Sequence, residues 1–125
     1  MSQPLLFMAA INGVLAVSIG AFAAHGLESI MQPDLLQTFQ TGVEYHMYHT
    51  LALFGTGLLN LHFPNERLPK IGSYLFLLGI LFFSGSLYAL GLTGISWLGA
   101  IAPIGGLFLI AGWGAICLFG FKKNA

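Results

Sequence analysis

The sequence predicts an all-α integral membrane protein: a four-helix bundle with a short amphipathic interfacial segment between helices 1 and 2. Three observations predict it. The first is composition. Of 125 residues, 57% are hydrophobic and 6% are charged, whereas soluble domains carry about 25% charged residues. A chain of this size cannot hide so much apolar surface in one water-soluble core. The second is the presence of four apolar runs, at 5–24, 44–61, 71–90 and 99–121. Each is close to the roughly 20 residues that cross a hydrocarbon layer of about 30 Å. The third is the placement of charge. Arg67, Lys70, Lys122 and Lys123 are all the Lys and Arg in the protein, and four crossings put them on one side. Glu28, Asp34 and Glu44 fall on the other side. Three or five crossings would split the cations. The positive-inside rule then leaves both termini of this multi-pass chain in the cytoplasm.

The length suits a single transmembrane domain, 1–125. Formal net charge is zero with no basic stripe, which excludes nucleic acid as a partner. The single Cys117 excludes an internal disulfide framework and a Cys-based zinc site.

Leu5 to Ala24 is the first span. Ala21-Phe22-Ala23 has the look of a signal-peptide cleavage site, but no Lys or Arg precedes the run and the run outlasts a typical h-region, so retention is expected. Ala16, Gly20 and Ala24 recur every fourth residue, a ridge of small side chains that admits a second helix closely. Asn12 is expected to hydrogen-bond across that contact.

His25 to Gly42 is a connection holding Glu28, Pro33 and Asp34 among interleaved Leu, Ile, Met and Phe. Pro33 and Asp34 read as a break followed by a helix start. Two short amphipathic pieces on the membrane surface are expected, the second running on toward the next span.

Glu44 to Leu61 is the second span. On a 100°-per-residue wheel, Glu44, Tyr45, Tyr48, His49, Ala52, Gly55 and Thr56 share an arc of roughly 140°. Met47, Leu53, Phe54 and Leu58 lie opposite. The polar and small face is expected to meet other helices and the large apolar face to meet lipid.

His62 to Lys70 is a turn with two prolines, followed by a third span from Ile71 to Leu90. Ser73, Ser84, Tyr88 and Gly91 lie within about 60° on its wheel. Ser84-Gly85-Ser86 inside a span reads as helix packing. Trp97 is placed as an interfacial anchor before the last span. Pro103 falls in the first turns of that span, where a missing N–H is tolerated best, and Gly105 and Gly106 follow as packing positions.

This topology puts His25, Glu28, Glu44, Tyr45, His49, Ser84, Ser86 and Tyr88 at one level, near the outer interface. Two readings stand side by side. As a site, the cluster could bind a metal or a head group or pass protons, because ionisable groups within a membrane are functional candidates. As architecture, interhelical His–Glu and Ser–Tyr hydrogen bonds would fix the bundle, and the architectural reading is preferred. His46 and His49 have i, i+3 spacing, but His46 points about 60° away on the wheel, toward the lipid side, so the pair is a weak metal signal. His25 and His49 are the candidate ligands for a haem or quinone. No catalytic residue, metal site or cofactor is expected.

Four segments resemble one family. AFAAHGL at 21–27, FQTGVEYHMYHTLAL at 39–53, FSGSLYAL at 83–90 and APIGGLFLIAGW at 102–113 are similar, in order, to the signatures of the small four-helix inner-membrane proteins of unknown function. These are the YgdD- and YwdK-like bacterial proteins and their eukaryotic transmembrane relatives. Ala23 stands where that family more often has Gly. The resemblance implies four helices and a plasma-membrane location. It also implies that His25, Gly26, Tyr45, His49, Ser84, Gly85, Ser86, Tyr88, Pro103, Gly105, Gly106 and Trp113 matter. It supplies no reaction or ligand, and only a link of some members to membrane integrity and stress tolerance.

The function expected is therefore non-enzymatic: a structural membrane protein supporting envelope integrity, in contact with membrane lipids and self-associating through small-residue faces. The alternatives are a small transporter or channel subunit using the outer cluster, and a metal- or haem-binding subunit.

Overall fold

The computed structural model describes residues 3–124, and every regular element among them is helical. Helix α1 spans Pro4–Phe22 and is carried on by a π-turn, Ala23–Leu27. Helix α2 spans Pro33–His62. Helix α3 spans Leu68–Thr93, with a π-turn at Ile80–Ser84. A 3₁₀ turn, Ser96–Ala100, leads into α4, Ala102–Asn124.

Proline opens all four helices. Pro4 and Pro33 are the first residues of α1 and α2, and Pro69 and Pro103 the second residues of α3 and α4. Those positions have no intrahelical acceptor for an N–H, and proline's fixed φ suits the turn. At the other end of α3, Gly94 adopts φ 71°, and its N–H bonds the Leu90 carbonyl at 2.7 Å. A side chain would be strained in that left-handed conformation.

Three helical stretches are long and apolar enough to cross a membrane: Pro4–Leu27, Leu68–Thr93 and Ser96–Lys123. Helix α2 is more polar. Its 30 residues extend over about 45 Å at 1.5 Å per residue. It starts at Pro33, where the sequence places a break and helix start, and residues 33–43 run on into the next span as its first turns rather than as a separate element. Phe39 is the reason: it is 2% exposed and packs on Ala23 and Leu27 of α1. It also closes on Gly91 of α3, where an added Cβ would stand 2.9 Å from the Phe39 Cβ. Lying flat on a membrane would give up that packing.

The helices succeed one another as neighbours. Helix α1 packs chiefly on α2, α2 on α1 and α3, and α3 on α2 and α4. The backbones of α3 and α4 come close at Gly105, where an added Cβ would lie 2.2 Å from the Phe83 nitrogen. Gly85 and Gly106 have no neighbour within 4 Å of such a Cβ, so they are not the close-packing positions expected of them. The α1 ridge is also corrected in part. Ala16 is 1% exposed, and a Cβ on Gly20 would lie 3.0 Å from Val43 Cγ1, but Ala24 is exposed. Ala9, Ala16 and Ala23 form the buried line instead.

Helix α2 is rotated by about 110° from the face expected on its wheel. Its buried residues are Phe39, Gly42, His46, His49, Thr50, Leu53, Thr56 and Gly57. Leu53, assigned to lipid, is fully buried, while Tyr45 and Tyr48, assigned inward, are 39% and 55% exposed. Small and polar residues were a poor guide because the buried face mixes Leu and Phe with His and Thr. The face expected on α3 holds: Ser73, Ser84 and Gly91 are buried and Tyr88 is half-buried.

Candidate functional site

The polar centre is built on two histidines near the middle of α2. His46 is 3% exposed. Its Nδ1 lies 2.7 Å from the Tyr88 hydroxyl of α3, and its Nε2 lies 3.0 Å from Asn12 Oδ1 of α1. The Asn12 amide fixes the proton positions. Its Nδ2–H donates to the Met8 carbonyl at 2.8 Å, and a carbonyl only accepts, so the amide oxygen faces His46. Nε2–H therefore donates to Asn12, and Nδ1 accepts the Tyr88 O–H. One neutral imidazole uses its single donor and single acceptor to join three helices.

His49 is 6% exposed. The Trp113 indole N–H of α4 donates to its Nε2 at 3.0 Å, which leaves Nδ1–H to donate to the Tyr45 carbonyl at 2.8 Å. Phe76 is fully buried and packs against both rings, 5.6 Å from His49 and 5.1 Å from Trp113.

Smaller bonds continue the pattern. The Ser84 hydroxyl donates to the Gly42 carbonyl of α2 at 2.8 Å. Ser73 Oγ lies 2.6 Å from Thr56 Oγ1, and Thr56 donates to its own helix at Leu53. Ser86 bonds only within its helix, at the Phe83 carbonyl. Gly42 makes room for Tyr88: an added Cβ would stand 3.0 Å from the ring.

The cluster expected at the outer interface is therefore redrawn. His49, Ser84 and Tyr88 do sit in interhelical bonds. His25, Glu28 and Glu44 are exposed and are not partners of either buried histidine. Glu44 lies about three turns into α2 rather than at its entrance, which moves the two histidines away from the helix end. His46, assigned to the lipid side, is buried at the centre. Asn12 was expected to bond across the α1 contact, and it does. Trp113 was singled out only by the resemblance. The missed signal lies in spacing: Phe39, Gly42, His46, His49, Leu53 and Thr56 follow one another at alternating three- and four-residue steps, the rhythm of a packed helix seam.

Between α2 and α4 runs a cleft of about 360 Å³, lined by Tyr45, His49, Phe83, Gly106, Ile110 and Trp113. Tyr45 stacks on Phe83 with centroids 4.8 Å apart. Both nitrogens of His49 are already engaged, so the walls offer a guest aromatic and aliphatic contact rather than a free imidazole. Among the described residues, no three His, Cys, Asp or Glu side chains come together as a metal site would require.

A helical protein with three membrane-length apolar stretches and buried histidines bonded between helices has the build of a membrane protein. The chain belongs to the uncharacterised membrane family described as "Protein of unknown function (DUF423)", whose pattern matches residues 19–106. It is 48% identical over 113 residues to the membrane protein YwdK of Bacillus subtilis, covering 86% of this chain and 88% of that one. It is 37% identical over 125 residues to a membrane protein of Haemophilus influenzae, covering 100% and 99%. To the inner membrane protein YgdD of Escherichia coli it is 40% identical over 123 residues, covering 95% and 89%. No solved structure matches it.

Proposed function

We propose that the chain is a four-span, non-enzymatic protein of the bacterial inner membrane that supports envelope integrity, with both termini in the cytoplasm. In this reading α2 is the remaining span, its His46, His49, Thr50 and Thr56 masked by neighbouring helices, and the helices form a bundle in contact with lipid. The observation that carries the architectural role is the closure of the polar centre. All four ring nitrogens of His46 and His49 are taken by Asn12, Tyr88, Trp113 and the Tyr45 backbone. Groups poised for transport or ligand binding would keep a free donor or acceptor facing a path. The orientation is supported by Arg67, Lys70, Lys122 and Lys123, which share one end of the molecule, where Lys123 pairs with Glu66 of the α2–α3 turn.

The role is tested by deleting the gene and measuring dye entry and survival under envelope stress. Increased entry and reduced survival are expected, and unchanged values would refute the role. The orientation is tested in a Cys117→Ser background carrying Arg67→Cys or Lys122→Cys. Labelling by an impermeant maleimide is expected only after the cells are opened, and labelling of intact cells would overturn it.

A further inference from the structure

The α2–α3 turn holds a cleft of about 410 Å³ lined by Asn65, Glu66, Arg67, Lys70, Ile71 and Tyr74. That volume is in the range of small-ligand sites. Its one acidic group is already neutralised, because Glu66 pairs with Lys123 from the end of α4. Lys123 is held there a second time, its Nζ lying 5.2 Å from the Phe63 ring centroid and 5.8 Å from that of Phe119. Among the described residues, Arg67 and Lys70 have no carboxylate partner. The cleft thus carries two uncompensated cations, with the Asn65 amide and the Tyr74 hydroxyl as neutral donors. Above it, Ile71, Tyr74, Leu78, Leu81 and Phe82 are 45%, 48%, 41%, 63% and 37% exposed. They follow at helical spacing up the outer side of α3, an apolar strip that starts at the rim of the cationic cleft.

We infer that this cleft binds the phosphate of an anionic phospholipid, with the lipid's acyl chains lying along the α3 strip. A guanidinium beside an ammonium matches a phosphodiester, and basic pockets between helices at a membrane face are suited to anionic head groups. The continuous apolar strip distinguishes a lipid from a free anion, which has no use for it. The inference rests on reading this end of the molecule as a membrane face.

The test is native mass spectrometry of the detergent-purified protein titrated with phosphatidylglycerol or, separately, phosphatidylcholine of the same chains. Wild type is expected to take up the anionic lipid at about tenfold lower concentration. Arg67→Gln/Lys70→Gln should lose that preference, while Lys122→Gln, which removes a cation outside the cleft, should keep it. Circular dichroism of each variant checks that it is folded, and the single variants Arg67→Gln and Lys70→Gln replace the double one if it is not. Equal uptake of the two lipids by wild type, or a preference that survives loss of both cations, would overturn the inference. So would displacement of the lipid by millimolar inorganic phosphate, which would assign the cleft to a free anion. The titration is made in detergent, so its failure is distinct from a failure of the cytoplasmic orientation, which the labelling experiment reads.

Discussion

His46 and His49 are three residues apart on one helix and bond to different neighbours: His46 holds α1 and α3, and His49 holds α4. Through two side chains α2 is tied to every other helix. The geometry allows the division, since two rings about 60° apart on a helix can face adjacent neighbours at once.

Removing one donor from this set should be felt by the others. Tyr88→Phe keeps the ring on Phe39, 5.0 Å away, but strips the proton that His46 Nδ1 accepts. A loss of about 0.5–2 kcal/mol is expected, read by thermal unfolding in detergent. Combined with Asn12→Ala, the loss should be less than additive, because both variants release the same imidazole. Strict additivity would show that His46 does not couple the two helices.

Neighbouring glycines should behave in opposite ways. Gly105→Ala puts a methyl group 2.2 Å from the Phe83 nitrogen, a clash with backbone that only separation of α3 from α4 relieves. A loss of at least about 2 kcal/mol or failure to accumulate is expected. Gly106→Ala meets nothing within 4 Å and should be neutral or stabilise by up to about 1 kcal/mol. Unfolding temperatures of the two variants, measured side by side, decide the matter.

Much of the fold was legible in the sequence, and the reason is visible in these positions. Pro33 and Pro103 marked the starts of α2 and α4, and three of the expected apolar runs fall in helices long enough to cross a bilayer. The buried face of α3 followed from Ser73, Ser84 and Gly91. The face of α2 was not legible from polarity, because its buried side mixes Phe39 and Leu53 with His46, His49 and Thr56, and polarity does not separate inside from outside. Tyr45 and Tyr48 could thus pass for inward residues and His46 for an outward one. Which residues bond across helices depends on the rotation of α2, in which Phe39 faces the space left by Gly91.

Thr50 offers a test of a different kind. Its hydroxyl is buried without a hydrogen-bond partner among the described residues, and its methyl group lies 3.8 Å from where a Cβ on Gly13 would be. Thr50→Val replaces the hydroxyl by a methyl group of similar size. Because nothing is left unpaired, the change should be neutral or stabilise by up to about 1–2 kcal/mol. Clear destabilisation in a detergent melt would reveal a partner for that oxygen.

The Glu66–Lys123 pair should matter little to stability on its own. Its side chains are 38% and 45% exposed, and exposed pairs contribute about 0–1 kcal/mol. Lys123→Gln is expected to change the unfolding free energy by less than about 1 kcal/mol, with the difference shrinking at high salt.

The arrangement of neighbours bears on how the chain is made. Helix α1 leans chiefly on α2, and the Asn12 oxygen finds its donor 34 residues later. At about 5–20 residues per second, a ribosome takes seconds to deliver that donor. Throughout that interval the amide oxygen of the first helix waits for the imidazole that will pair with it.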